Sequence, residues 1–249
     1  LDLRYEAWPT TVGELAARVT ALRSPDILGA NVTIPHKQAI MPLLDRLAPS
    51  ATEVGAVNTV TKADGLLVGH NTDADGLALA LREVGWEHMS QGIVLGSGGA
   101  ARAAVLALHR VGASAVCLLA RQMTAAHAIV TDLLPHVAGT SLLWGDLLAT
   151  DLAVWERMLA GTHIIINATS VGMAAQPGMP LSVAVLERVR AGTLVLDCIT
   201  HETALLREAR RRELPALDGL PMLLHQGALA FTLWTGQAAP LAVMRAALG

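Results

Sequence analysis

The chain has 249 residues, enough for one large domain or two modest ones with cores of their own. Hydrophobic residues make up 53% and charged residues 16%, which excludes a disordered chain, and no apolar run approaches the ~18 residues that span a bilayer. A formal net charge of -3 argues against nucleic acid or a membrane surface as a partner, and two cysteines outside any CxxC spacing favour a cytoplasmic protein.

The first part of the chain predicts short strands and helices in mixed order. LRYEAW is typical of a strand already under way, so we expect a segment to precede Leu1. Asp64-Gly65 supplies a tight turn between two β-rich runs and predicts a hairpin. The predicted elements are a strand over 3–8, a helix over 11–22, a strand over 27–34, a helix over 37–48 made irregular by Pro42, and a hairpin over 56–71.

The second part alternates continuous apolar strands with helices, which indicates a parallel sheet covered on both faces. A domain boundary is expected near 72–75, and the two C-terminal helices could pack on either part. The predicted strands lie at 92–95, 115–120, 141–144, 163–169 and 193–199, and the predicted helices at 73–85, 122–134, 151–160, 181–191 and 202–212.

The stretch GSGGAA follows the first of these strands and opens a helix. Gly96, Gly98 and Ala101 match the G-x-G-x-x-G/A spacing, in which glycines permit a sharp turn and close approach of backbone to a pyrophosphate at a helix N-terminus. A bare match is weak, but the strand before it and the helix after it favour a dinucleotide site over a plain tight turn.

The next strand ends in LLARQ, where an NAD site usually offers an acid to the ribose 2′-hydroxyl. Arg121 stands there instead, and a guanidinium suits a 2′-phosphate, so we predict NADP as cofactor. The alternative is that Arg121 is a solvated surface residue.

Polar clusters interrupt apolar surroundings at three places before the glycine turn. They could converge on a cleft that binds a polyhydroxylated ligand, or the asparagines could merely satisfy turn backbone. Nine histidines show no metal-ligand spacing, so we expect no metal site. The clusters are Asn31/Thr33/Lys37, Asn58/Thr59 and Asn71/Thr72/Asp73.

Six motifs in order, spread over essentially the whole chain, resemble the shikimate dehydrogenase family. They are NVTIPHK, GAVNT, HNTDADG, GSGGAAR, NATSVGM and DGLPMLLHQGALAF. The resemblance implies an α/β protein of two domains: a substrate-binding domain from 1–72 plus 219–249, and a Rossmann-type NADP-binding domain over 73–218. It implies reversible reduction of 3-dehydroshikimate to shikimate in the chorismate pathway. The sequence leaves a monomer and a homodimer open.

The resemblance also implies roles for individual residues. Lys37 and Asp73 would transfer the proton, and Asn58 and Gln226 would bind substrate hydroxyls. A lysine within hydrogen-bond reach can stabilise the ketone oxygen and protonate it, and a nearby carboxylate favours the ammonium form. The implied cofactor-binding residues are Gly96, Ser97, Gly98, Gly99, Ala100, Arg121, Ala168, Thr169 and Gly219.

The chain departs from the family pattern at several positions. The serine pair that grips the substrate carboxylate is not in this sequence, and Thr200 stands near a usual tyrosine. Around Arg121, Ala120, Gln122 and Ala125 replace residues that help to hold the 2′-phosphate. Two alternatives therefore stay open: an NAD-dependent quinate/shikimate dehydrogenase, and a dinucleotide-binding homologue without catalysis.

Overall fold

The computed structural model describes residues 2–88, 90–148 and 151–248. The chain folds into two compact units. The first unit comprises Leu1–Thr52 and Ala56–Asn71, and the second comprises Glu53–Gly55 and Thr72–Gly249. The break after Asn71 lies beside the predicted boundary. The C-terminal helices group with the second unit; that they serve substrate binding stays a prediction.

The first unit is built around a four-stranded sheet in the order β1-β3-β4-β2. Strands β3 and β4 form the predicted hairpin, with Asp64 and Gly65 at φ values of 52° and 78° in its turn. Buried residues of α1, including Leu15 and Val19, share a core with the sheet. The elements are α1 (Leu15–Ala21), β1 (Gly29–Asn31), β2 (Arg46–Leu47), α2 (Pro49–Val54, whose end belongs to the second unit), β3 (Thr59–Ala63) and β4 (Leu66–His70).

Two predictions for the first unit are wrong. Residues 3–8 form no strand, because a strand needs a neighbour for its N–H and C=O groups and these residues pair with no strand in the described chain. Residues 37–48 form no α-helix. Pro42 lacks the N–H that a helix interior requires, so the chain makes only a 3₁₀ turn at Met41–Leu43 before β2 pairs in parallel with β4. Lys37 therefore lies in a turn, not at a helix start.

The second unit contains a six-stranded sheet in which all paired strands are parallel. Its order, β7-β6-β5-β8-β9-β10, is that of a Rossmann fold, as predicted. The elements are α3 (Asp73–Glu83), β5 (Gln91–Leu95), α4 (Gly99–Arg110), β6 (Ala115–Ala120), α5 (Met123–Leu133), β7 (Ser141–Asp146), α6 (Leu152–Leu159), β8 (Ile164–Asn167), α7 (Val183–Leu186), β9 (Leu194–Asp197), α8 (Ala204–Arg211), β10 (Ala216–Leu217), α9 (Leu220–Thr235) and α10 (Leu241–Ala246).

The core of this unit lies against the central strands. Ile93, Leu95 and Ile165 are fully buried and pack with Trp155 of α6 and Leu205 of α8. The two-residue strand β10 was missed in the sequence because so short an edge strand has no periodicity of its own. In such a sheet, ligands bind to the loops that follow the carboxyl ends of the strands, here β5, β6, β8 and β9.

Candidate active site

The glycine turn after β5 lies at the point where the strand order reverses. Gly96 has φ of 124°, which favours glycine, and its N–H donates to the Leu119 carbonyl at 2.8 Å. A Cβ at Gly96 would lie 2.8 Å from the Ala168 carbonyl oxygen and 3.3 Å from the Thr169 nitrogen. The turn therefore touches the loop after β8, and three of the predicted cofactor residues come together.

The N-terminus of α4 follows directly. Gly98 is its N-cap in an extended conformation, and Gly99 and Ala100 form its first turn. A Cβ added at Gly98 would meet nothing within 4 Å, so the space in front of the helix is open. Ser97 and Gly98 are exposed. Free N–H groups and the helix dipole make this a suitable place for phosphate.

Arg121 follows the last residue of β6 and is exposed. The neighbouring Ala120 is opposite Asp146 in the ladder between β6 and β7. The predicted 2′-phosphate site therefore has one guanidinium from β6 and a carboxylate on the adjacent strand. An acid at this end of the sheet suits a ribose 2′-hydroxyl, and Asp146 Oδ1 accepts from the Leu148 N–H at 2.8 Å.

A buried polar network at the ends of β8 and β9 was missed in the sequence. Asn167 and Asp197 are opposite each other in the ladder, both fully buried, and Asn167 Nδ2 donates to Asp197 Oδ1 at 3.0 Å. Asn167 Oδ1 accepts from the Thr169 N–H at 3.0 Å and from its hydroxyl at 2.7 Å. Burial raises the pKa of Asp197, against the opposing effect of its hydrogen bonds with Asn167 and Thr203. The sequence did carry a signal for this network, because the apolar strands β8 and β9 each end in a polar residue, Asn167 and Asp197.

Gly219 caps the N-terminus of α9 close to the same network. Its N–H donates to the Ile199 carbonyl at 2.9 Å, and a Cβ there would lie 2.3 Å from the Cys198 carbonyl oxygen. Gly219 therefore packs directly on the loop after β9. The structure places it beside the loops that carry the other predicted cofactor residues of the β8 end.

In the first unit, the turn with Lys37 meets the segment that precedes β3. The Lys37 carbonyl accepts from the Val57 N–H at 2.8 Å, and Asn58 follows at once in the chain. Asn58 is buried; its carbonyl accepts from the Val32 N–H at 2.7 Å, and Asn31 Nδ2 donates to the same oxygen at 3.3 Å. Lys37 and Asn58 are therefore held near each other by backbone contacts.

In the second unit, Asp73 is the first residue of α3 and is buried. Three residues on, Gly76 contacts the backbone of Gln226 in α9: a Cβ there would lie 2.7 Å from the Gln226 nitrogen. Near the other end of α3, His225 Nε2 donates to Glu83 at 2.7 Å. The packing of α3 against α9 therefore holds Asp73 and Gln226 in fixed positions relative to each other. Their pairing with Lys37 and Asn58 stays a prediction.

Within the described residues, no group of three or more His, Cys, Asp or Glu side chains could hold a metal ion. Over the same part of the chain, no helix is long and apolar enough to cross a membrane. Cys117 and Cys198 form no disulfide, and burial raises the pKa of Cys117 to about 11.

The parallel sheet in Rossmann order, with a glycine turn and an open helix N-terminus at the reversal point, defines a dinucleotide-binding α/β protein. The substrate-binding domain of shikimate dehydrogenase matches residues 1–60, and the C-terminal domain of shikimate 5'-dehydrogenase matches residues 219–248. The chain belongs to the shikimate dehydrogenase family.

Relatives match over nearly the whole chain. Shikimate dehydrogenase (NADP(+)) from Moorella thermoacetica is 39% identical over 98% of this chain and 81% of its own length. The structure of shikimate 5-dehydrogenase from Thermus thermophilus in complex with NADP(H) and shikimate has a TM-score of 0.83 at 34% identity, covering 98% of this chain and 86% of that one. The structure of quinate dehydrogenase from Corynebacterium glutamicum in complex with NAD has a TM-score of 0.81 at 30% identity. The match covers 93% of this chain and 81% of that one.

Proposed function

We propose that this protein catalyses the NADP-dependent, reversible reduction of 3-dehydroshikimate to shikimate. The observation that carries the proposal is the 39% identity to an NADP-dependent shikimate dehydrogenase over 98% of the chain. The packing of the glycine turn against Ala168 and Thr169 supports it, since ligands of open α/β sheets bind where the strand order reverses.

The described residues fit the cofactor. The open space at Gly98 leaves room for a pyrophosphate before the N–H groups of α4, and Arg121 offers an exposed guanidinium at the end of β6. Ala168, Thr169 and Gly219 would lie along the nicotinamide half. NADPH, when bound, supplies the hydride that reduces the ketone carbon.

The chain's own part is to bind the substrate and move the proton. As hydride reaches the carbon, negative charge grows on the ketone oxygen, and the Lys37 ammonium stabilises that oxygen and protonates it. Asp73 is the second member of the proposed proton-transfer pair, because a carboxylate favours the ammonium form of a lysine. Asn58 and Gln226 bind ring hydroxyls, since an amide offers both a donor and an acceptor. In oxidation the same groups run in reverse.

Lys37→Ala tests this assignment. We expect kcat for shikimate oxidation to fall by about 10²–10⁴-fold, the usual contribution of a positioned acid or base. The KM for shikimate should change far less. The chain offers a matched control, because Lys62 is its only other lysine and belongs to the same unit. Lys62→Ala should keep the wild-type kcat, and an unchanged kcat in Lys37→Ala would contradict the assignment.

Asp146 beside the end of β6 favours a second candidate, an NAD-dependent quinate/shikimate dehydrogenase. Steady-state oxidation of shikimate and of quinate, each with NADP and with NAD, separates the two. Turnover only with NAD would favour the second candidate. No turnover in any combination, with NADP still bound, would favour a homologue without catalysis.

We also propose a cytoplasmic location, supported by Cys117 and Cys198, which form no disulfide and so suit a reducing compartment. The protein is proposed to be a monomer or a homodimer, which light scattering would decide.

A further inference from the structure

Asp197 lies at the end of β9 and holds two loops at once. Its Oδ1 accepts from Asn167 Nδ2 at 3.0 Å and from the Ile199 N–H at 3.1 Å, and its Oδ2 accepts from the Thr203 hydroxyl at 2.8 Å. The carboxylate has no exposed surface. Three donors on one buried carboxylate connect the strand end of β8 with the loop 198–203.

The partner Asn167 organises the loop after β8. Its Oδ1 accepts from the N–H and the hydroxyl of Thr169, and its Nδ2 also donates to the Val171 carbonyl at 3.1 Å. The Val171 N–H donates in turn to the Thr169 hydroxyl at 3.1 Å. The loop from Ala168 to Val171 is therefore held in place by hydrogen bonds to the Asn167 side chain.

The carboxylate is one of three groups that fix the orientation of that amide, together with the Val171 carbonyl and the Thr169 N–H. A carboxylate accepts hydrogen bonds only, so Asn167 must present Nδ2 to Asp197 and Oδ1 to Thr169. A neutral amide at position 197 could donate as well as accept, and it would weaken the restraint that opposes a 180° turn of Asn167. In that orientation the Thr169 N–H would face another N–H group, and the loop would lose its main acceptor.

The loop after β9 is also bonded to Asp197. Thr203 donates to Asp197 and caps α8 by accepting from the Leu206 N–H. A Cβ at Gly172 would lie 3.1 Å from Thr203 Cγ2, so the two loops are packed together. Gly219 donates to the Ile199 carbonyl. The segments bearing Ala168, Thr169 and Gly219 thus all rest on one buried network.

We infer that Asp197, acting through Asn167, is a positioning residue that sets the backbone around the nicotinamide half of the cofactor site. The inference rests on the proposed function, which makes Ala168, Thr169 and Gly219 cofactor-binding residues. The hydrogen bonds given above for Asp197 and Asn167 do not include Arg121 or the N-terminus of α4, which follow β6 and β5.

Asp197→Asn tests it with little change of shape. The dissociation constants of NADP⁺ and of 2′-phospho-ADP-ribose, which lacks nicotinamide, are measured by titration calorimetry, and kcat is measured with shikimate. We expect the constant for NADP⁺ to rise at least fivefold and kcat to fall at least fivefold, with the constant for 2′-phospho-ADP-ribose within twofold of wild type. Asp197→Ala should show the same selectivity more strongly if it folds.

Thr193→Val is the matched control. The Thr193 hydroxyl is buried at the opposite end of β9 and donates to the Thr162 carbonyl at 3.2 Å. Its loss should lower the melting temperature and leave both constants and kcat unchanged. Equal weakening of both ligands by Asp197→Asn, or wild-type NADP⁺ binding and kcat, would overturn the inference. If the wild type binds NADP⁺ but does not oxidise shikimate, the proposed function fails while the two binding constants still test the network.

Discussion

The α3–α9 crossing offers a quantitative test of how the site is positioned. In Gly76→Ala, the new Cβ would lie 2.7 Å from the Gln226 nitrogen and 2.8 Å from its Cβ, whereas non-bonded atoms prefer about 3.5–4.0 Å. The helices must therefore separate locally by about 1 Å. The higher helix propensity of alanine stabilises the fold by about 1 kcal/mol, while overpacking destabilises it by about 1–3 kcal/mol. The net loss of unfolding free energy is then about 0–2 kcal/mol.

The effect on catalysis should be larger. Asp73 and Gly76 are three residues apart and share a face of α3, and the displaced residue is Gln226 itself. A displacement of about 1 Å between reacting groups costs about 10²-fold in rate. We therefore expect kcat/KM for shikimate to fall by about 10²-fold while most of the protein stays folded at 25 °C.

The assay is steady-state shikimate oxidation, with a melting curve for each variant. Gly227→Ala is the control, because Gly227 is a helical neighbour whose added Cβ would meet only Met244 Cε, at 3.6 Å. It should leave kcat/KM unchanged and gain up to about 1 kcal/mol of stability. A Gly76→Ala enzyme within threefold of the wild-type kcat/KM would refute the reasoning, as would an equal loss in Gly227→Ala.

Two further predictions concern single charges. Arg121→Ala should raise KM for NADP by about tenfold or more and leave KM for NAD within twofold, because only NADP carries the 2′-phosphate; equal changes for both cofactors would contradict the assignment. In the first unit, the Arg23 guanidinium bonds both Asp45 oxygens and, with the Leu67 N–H, lowers the pKa of Asp45 to about 2. Its stabilisation is complete above the ordinary value of 3.8 and is lost as the pH falls towards 2. Urea unfolding of Asp45→Asn should therefore show a lower free energy of unfolding than the wild type at pH 5, and this deficit should shrink as the pH falls to 2.

The second unit could be predicted well because its signals are local. Each strand of the sheet interior is a short, continuous apolar run, and most are followed by a helix with its own period. Of the helix predicted over 181–191, only Val183–Leu186 is an α-helix. Strand β8, with the sequence IIIN, is fully buried, as such a run predicts. The glycine turn was equally readable, since its spacing and its place between a strand and a helix follow from the sequence.

The first unit was harder because its geometry depends on distant partners. The stretch 37–48 has helical periodicity, yet Pro42 interrupts it and Asp45 is bound by Arg23 and by the backbone of β4. The stretch 3–8 alternates like a strand but has no neighbour to pair with in the described chain. Neither outcome can be read from a window of ten residues.

The network around Asp197 shows the same limit within the site. Asn167 and Asp197 are 30 residues apart, and only the register of β8 against β9 places them opposite each other. Ala168 and Thr169 were predicted from the family resemblance and from the rule that ligands bind at strand ends, which identify the loop but not the side chain that shapes it.

Some glycines of this chain are required by their own backbone conformation, which the local sequence predicts, and others by a distant segment, which it does not. Gly96 has a positive φ, and its motif predicted that a turn needs it. Gly76 lies within a helix and Gly219 has φ of -79°, so neither is needed for its own conformation. Both are required because another backbone lies too close for a Cβ: Gln226 for Gly76 and Cys198 for Gly219. Close approach is a property of two segments, and this is why alanine at such positions should disturb the site more than local propensity implies.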